Sequence, residues 1–239
     1  MVDFWIILII VLSSLIKGVT GFGFALFSFP LLLIWFEPKE IVPVLMICNL
    51  IASIFITLQK KEHRLLDKKS YLLIGAGSVF TILGVIALSS INGKILVHLS
   101  GLLFLLLTLF SLRKRKPIQR ELPNHVYLWA GSLVGFITGA VSVSGPPLAL
   151  FLRSANVSNR KFREIFAWFS VITAVIAILG YAQAGLITAQ TLKLSVVCTP
   201  ILLAGTIVGK KLNSNLSLDR FQTINMVLTL IASILLIIK

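Results

Sequence analysis

No carboxylate stands at the middle of any apolar run in this chain, and only 8 of its 239 residues are Asp or Glu. Charge of either sign is scarce: 13% of residues are charged against 57% hydrophobic, and the mean hydropathy is +1.01. So little polar surface cannot cover a soluble globule. Apolar runs near the roughly 20 residues that a membrane span requires follow one another with short polar loops between them, and no stretch is left for a soluble catalytic or regulatory domain. The chain has no HExxH, no P-loop, no nucleophile–base pair and no metal-ligand spacing. These absences argue against membrane proteolysis and ATP-driven transport, so neither enzymatic activity nor a cofactor or metal is expected. Cysteine is limited to Cys48 and Cys198, both inside apolar segments and away from any Cys/His cluster, and they read as packing residues. The N-terminus lacks a basic n-region, carries Asp3 and has no small-x-small cleavage site, so it is expected to be retained.

What the chain does have is a repeat. Gly18-Val19-Thr20-Gly21-Phe22-Gly23 in the first half is echoed by Gly139-Ala140-Val141-Ser142-Val143-Ser144 in the second, and Thr81-Ile82-Leu83-Gly84 by Thr206-Ile207-Val208-Gly209. The first half reads as an apolar stretch over 4–36 interrupted at Lys17-Gly18 and Gly21-Phe22-Gly23, then spans near 40–59, 69–88 and 94–112. The second reads as a stretch over 125–152 interrupted at Gly139 and Ser144-Gly145-Pro146-Pro147, then spans near 163–184, 188–209 and 217–238. The expected fold is all-α: a polytopic membrane protein of two units, 1–112 and 125–239, joined by a basic linker over 113–124.

The formal charge of +14 would suggest a nucleic-acid partner in a soluble protein. Here Lys and Arg concentrate in loops, where they set orientation and meet anionic lipid headgroups, and no nucleic acid is expected. The loops trade charge between the halves. Lys60-Lys61-Glu62-His63-Arg64 is basic and its counterpart around Gln183 is uncharged; Glu37-Pro38-Lys39-Glu40 is net acidic and its counterpart Arg153 to Arg163 basic; Ser89 to Gly93 is neutral and its counterpart begins Lys210-Lys211. Since basic loops stay in the cytoplasm, the second unit is expected to be inverted relative to the first. Placing every basic loop inside makes 4–36 and 125–152 hairpins that start and end on one face. Arms of about 14 residues reach roughly 20 Å, short of a bilayer core of roughly 30 Å, so broken or re-entrant hairpins are expected, each followed by three transmembrane helices. Inverted repeats with interrupted helices are a signature of secondary transporters.

Irregular backbone at membrane depth is tolerated where it is buried in protein or lines a cavity, so the two breaks point to one central site. Helix ends there expose N–H groups and a positive dipole end that favour an anion. The candidate substrate-binding residues are Lys17, Gly18, Thr20, Gly21, Gly23, Asn49, Thr138, Gly139, Ser142, Ser144, Gly145 and Ser170. Lys17 is the sharpest of them: it sits within an apolar stretch, where a charge costs several kcal/mol and no carboxylate is at hand, so a substrate anion is the natural counter-ion. The bland alternatives are a shallow Lys reaching the interface and small residues that serve helix packing. Asn49 and Ser170 occupy equivalent places in the two halves, deep enough to line a cavity, with Trp168 as a candidate wall. His63, His98 and His125 lie near loops and are weak candidates for proton relay.

The run Gly18-Val19-Thr20-Gly21-Phe22-Gly23-Phe24 with Pro30, and Ser142-Val143-Ser144-Gly145-Pro146-Pro147-Leu148, resembles the TauE/SafE sulfite exporter family of membrane permeases over essentially the full length, including Glu37-Pro38-Lys39-Glu40 followed by Asn49, and Arg163 leading into its span. The resemblance implies transport of small sulfur-containing or organic anions, such as sulfite, thiosulfate or sulfonates, driven by an ion gradient. The expected protein is thus a multi-pass permease of the cell inner (plasma) membrane, with a small anionic substrate and the lipid bilayer as partners. A passive anion channel and a membrane-embedded assembly factor are the alternatives. A symmetric architecture serves import and export alike, and a homo-oligomer is compatible with it.

Overall fold

The computed structural model describes residues 4–20, 23–58, 65–112 and 122–212, together with 230 and 234. The basic segments 60–64 and 113–120, the residues Gly21 and Phe22 of the first break, and all but two positions of the span expected over 217–238 lie outside the described residues. Within them the chain is all-helical: α1 (Phe4–Thr20), α2 (Phe24–Leu32), α3 (Pro38–Leu58), α4 (Lys68–Ser90), α5 (Gly93–Leu112), α6 (Asn124–Val141), α7 (Gly145–Ser154), α8 (Asn159–Gln183) and α9 (Ala189–Leu212).

Length and apolarity make this a multi-pass membrane protein. Four described helices are long and apolar enough to cross a bilayer, over Pro38–Phe55, Lys68–Ser90, Arg160–Gln183 and Ala189–Lys211, and Phe4–Val19 and Gly93–Leu109 form shorter apolar helices. On α4, Leu73, Val85 and Leu88 are buried while Val79, Ile82, Leu83 and Ile86 are exposed. A helix apolar on its buried and exposed faces alike is one whose outer face meets lipid.

Both hairpins are broken, and their arms are unequal rather than about 14 residues each. α1 has 17 residues and α2 9; α6 has 18 and α7 10. At about 1.5 Å per residue the second arms reach only about 14–15 Å, half of a bilayer core of about 30 Å. The breaks have local causes. Gly23, just before α2, adopts φ 115°, and Ser142, just after α6, adopts φ 59°. Ser142 N–H closes α6 on Thr138 O at 2.8 Å. Tyr181 on α8 donates its hydroxyl to Gly139 O at 2.6 Å, bonding a carbonyl in the last turn of α6, where helix carbonyls lose their partners.

The most extensive packing joins the first helix of each half to the fourth helix of the other: α4 on α6, and α1 on α9. α3 and α8 pack on one another, and each packs on the fourth helix of the opposite half. Both long crossings rest on glycine. A Cβ on Gly84 would collide with Phe136 O and Gly139 Cα, and one on Gly18 with Thr206 O and Gly209 Cα, so backbones touch at both places. Thr81 adds a hydroxyl that donates to Gly77 O at 2.7 Å and across the crossing to Gly135 O at 3.2 Å. Small residues that let backbones approach replace the hydrophobic effect as the source of packing energy in lipid.

The loop before α4 is tied to the start of α8. Asp67 caps α4 by accepting from Ser70 N at 3.0 Å and Ser70 Oγ at 2.6 Å, and its other oxygen pairs with Lys161 Nζ at 2.7 Å. Glu164, buried, accepts from Leu65 N at 3.1 Å. Partial desolvation pushes the Asp67 carboxyl up, but the Lys161 ammonium and the Ser70 donors together outweigh it and hold the group at about 2.

Two tests follow from this packing. Gly84→Ala is expected to destabilise by roughly 1–3 kcal/mol through overpacking, seen as a lower melting temperature in detergent, whereas Gly75→Ala, whose Cβ meets nothing within 4 Å, leaves it unchanged. Asp67 is held below its unfolded value of about 3.9, so its stabilisation is present above pH ~4 and is lost as pH falls towards ~2. Asp67→Asn is therefore expected to lower stability at neutral pH by no more than about 1 kcal/mol, the pair being half-exposed and screened, with wild type and variant converging in acid.

Candidate functional site

Both breaks open onto one cavity. It is lined by Lys17 from α1, Gly23, Phe24, Ala25 and Leu26 at the start of α2, Asn49 from α3, Ser142, Val143 and Ser144 from the second break, Gly145 and Pro146 of α7, and Phe166 from α8. Its empty space is about 260 Å³ with the mouth included. The part of it that admits a water-sized sphere is about 20 Å³, room for about one water molecule.

Lys17 governs the electrostatics. It lies in the last turn of α1, where the negative end of the helix dipole favours a cation, and only 2% of its surface is exposed. Its side chain stays inside the protein. Nζ donates to Asn49 Oδ1 at 2.5 Å and lies 5.9 Å from the centroid of the Phe24 ring. Both partners are neutral, and no carboxylate among the described residues pairs with it.

Around this charge stand hydrogen-bond donors. The first N–H groups of a helix have no partner within it; in α2 the ladder begins with Phe27 N–H on Gly23 O at 3.1 Å, and the N–H groups of Phe24, Ala25 and Leu26, which line the cavity, have no acceptor among the described residues. α7 offers fewer. Its ladder begins with Leu148 N–H on Ser144 O at 3.2 Å, and Pro146 and Pro147 carry no N–H, so Gly145 is the one backbone donor of its first turn. The donor set is therefore lopsided towards α2 and Lys17. Ser142 Oγ rests against Met46 Sδ at 3.7 Å, a weak acceptor, and Ser144 Oγ has no partner among the described residues.

A family model described as sulfite exporter TauE/SafE matches residues 6–236. The chain belongs to the TauE/SafE family. This family is one of membrane transporters, and the match covers both breaks and every helix described above. No curated protein and no solved structure matches the chain.

Of the residues singled out from the sequence of this TauE/SafE protein, Lys17, Gly23, Asn49, Ser142, Ser144 and Gly145 meet at the cavity. Gly18 and Gly139 sit at the α1–α9 and α4–α6 crossings. Thr138 is buried and donates to Val134 O of its own helix at 2.7 Å. Ser170 is buried with its hydroxyl unpartnered, away from the cavity lining. Thr20 ends α1, and Gly21 lies outside the described residues. The offset that takes Gly18 to Gly139 takes Lys17 to Thr138 and Asn49 to Ser170, so the charged pair of one half has neutral hydroxyl counterparts in the other.

The lining residues that sequence reasoning passed over are apolar: Phe24, Ala25, Leu26, Val143, Pro146 and Phe166. Val143 lies inside the second break and Pro146 in the first turn of α7, where attention to polar atoms hid them. Phe166 carried no signal; Trp168, the aromatic expected as a wall, packs instead against the apolar cluster around Phe169 and Leu73. Elsewhere, His98 bonds Lys94 O at 2.8 Å on exposed surface, and no group of three or more potential metal ligands occurs among the described residues.

The break geometry gives a paired test. Gly23→Ala forces a side chain into a positive-φ conformation and is expected to cost roughly 1–3 kcal/mol. Ser142→Gly, at the other positive-φ position, relieves strain there and is expected to leave the melting temperature equal or slightly raised.

Proposed function

We propose that this protein is a secondary permease of the cell inner membrane that carries small anions, sulfur-containing oxyanions or organosulfonates among them, by alternating access. The observation that carries the reading is a buried ammonium, Lys17, in a cavity whose other polar atoms are donors or neutral groups and which holds no carboxylate among its lining residues. A buried charge must be compensated, and an anion entering the cavity does so. The α2 N-terminus adds three N–H groups and the positive end of a dipole, Ser142 and Ser144 add hydroxyls, and the small volume selects compact ions. Membership of a sulfite exporter family supports sulfur oxyanions as the substrates.

Nothing in this site performs covalent chemistry; it binds and releases. The proposed transport cycle uses the two halves, read as inverted repeats, which rock about the α3–α8 contact to expose the cavity to one face and then the other. The glycine crossings of α1 on α9 and α4 on α6 support this mechanically: each first helix is fastened to the opposite half, so its break moves with that half. The second arms, α2 and α7, would remain within the bilayer as re-entrant segments.

The test is reconstitution in liposomes. Lys17→Ala is expected to abolish uptake of sulfite and sulfoacetate while insertion and protein amount stay at wild-type levels; wild-type uptake by this variant removes Lys17 from the mechanism. Counterflow distinguishes carrier from pore, because substrate on the trans side accelerates a carrier and leaves a channel unaffected.

A further inference from the structure

We propose that Asn49 sets the charge selectivity of this site, holding the Lys17 ammonium without neutralising it and presenting its own NH₂ to the bound anion. The proposal rests on the anion-carrier reading above and deepens it. Asn49 Oδ1 accepts from Lys17 Nζ. That bond orients the amide, since the opposite orientation would set an NH₂ donor against an ammonium that has only donors. The amide nitrogen is therefore directed away from the cation, and no acceptor among the described residues takes its hydrogens. Asn49 is half-buried and lines the cavity, so the free NH₂ is available to an occupant.

The choice of side chain has a physical reason. A carboxylate at this position would close an ion pair with Lys17, and in surroundings this poor in water such a pair satisfies the cation without any substrate. A serine hydroxyl can also accept from the ammonium and donate to an anion, but it is shorter by one heavy atom and brings one hydrogen where the amide brings two. An uncharged amide accepts from a cation with one atom and donates to an anion with another. The second partner of Lys17, the Phe24 ring face at 5.9 Å, is likewise neutral and attracts the ammonium without cancelling its charge. Both contacts hold the cation in place and leave its charge for an incoming anion.

The experiment compares wild type, Asn49→Asp and Asn49→Ser as purified full-length proteins, reading the melting temperature without ligand and its shift with sulfite and with sulfoacetate, and then uptake in liposomes. Asn49→Asp is expected to melt higher than wild type without ligand and to lose the anion-induced shift. Asn49→Ser is expected to gain no such stability and to bind roughly 10- to 100-fold more weakly, the loss expected for one hydrogen bond to a charged group. Affinity unchanged in both variants, with a lower unliganded melting temperature, is the signature of a purely structural Asn49 and overturns the proposal. If Asn49→Asp does not fold, wild-type affinity in Asn49→Ser alone overturns it. A wild-type protein that shows no shift and no uptake with either anion sinks the anion-carrier reading itself, and this inference with it.

Discussion

One buried cation constrains this structure. An ammonium at membrane depth costs several kcal/mol unless something compensates it, and the fold answers with placement rather than with a carboxylate. Lys17 lies in the last turn of α1, where the helix dipole favours it, one turn before the chain breaks. Asn49 meets it from α3 and Phe24 from the first turn of α2. Three successive elements of the first half thus converge on one nitrogen, and the second half contributes Ser142, Ser144 and Gly145 opposite it.

The breaks and the crossings are two sides of the same arrangement. A helix interrupted inside a membrane must find partners for its loose backbone groups. In α6, Ser142 N–H turns back to Thr138 O, and Tyr181 reaches across from α8 to Gly139 O. Gly139 serves twice, since its missing side chain also admits α4 at the Gly84 crossing. Glycine-mediated contact fastens the start of each half to the fourth helix of the other, and this brings the two breaks to a common place. At the sequence offset that takes Gly18 to Gly139, the first half has Lys17 and Asn49 where the second has Thr138 bonded to its own helix and Ser170 without a partner. The cavity therefore has a charged side and a neutral side.

The helical architecture was largely legible, because lipid demands long apolar runs and punishes irregular backbone, and both leave marks in composition. The interruptions after Thr20 and Val141 fall at the Gly- and Ser-rich stretches that announce them. Lys17 stood out because a lone charge in an apolar run has few explanations. The roles of the glycines were harder to separate. Gly18 and Gly23 are alike in a sequence, yet one lies under α9 and the other faces the cavity with φ 115°. Pro146 and Pro147 looked like helix breakers and proved also to thin the backbone donors of α7.

Sequence alone determined that this is a polytopic helical membrane protein with two interrupted segments and one charge out of place, since these follow from local hydropathy and from the cost of a buried ion. Tertiary structure decided which polar atoms meet. Asn49 lies far along the chain from Lys17, and Phe166 farther still, so their convergence depends on how the helices cross. Those crossings are governed by steric fit between backbones, a property of pairs of helices that no single stretch of sequence contains.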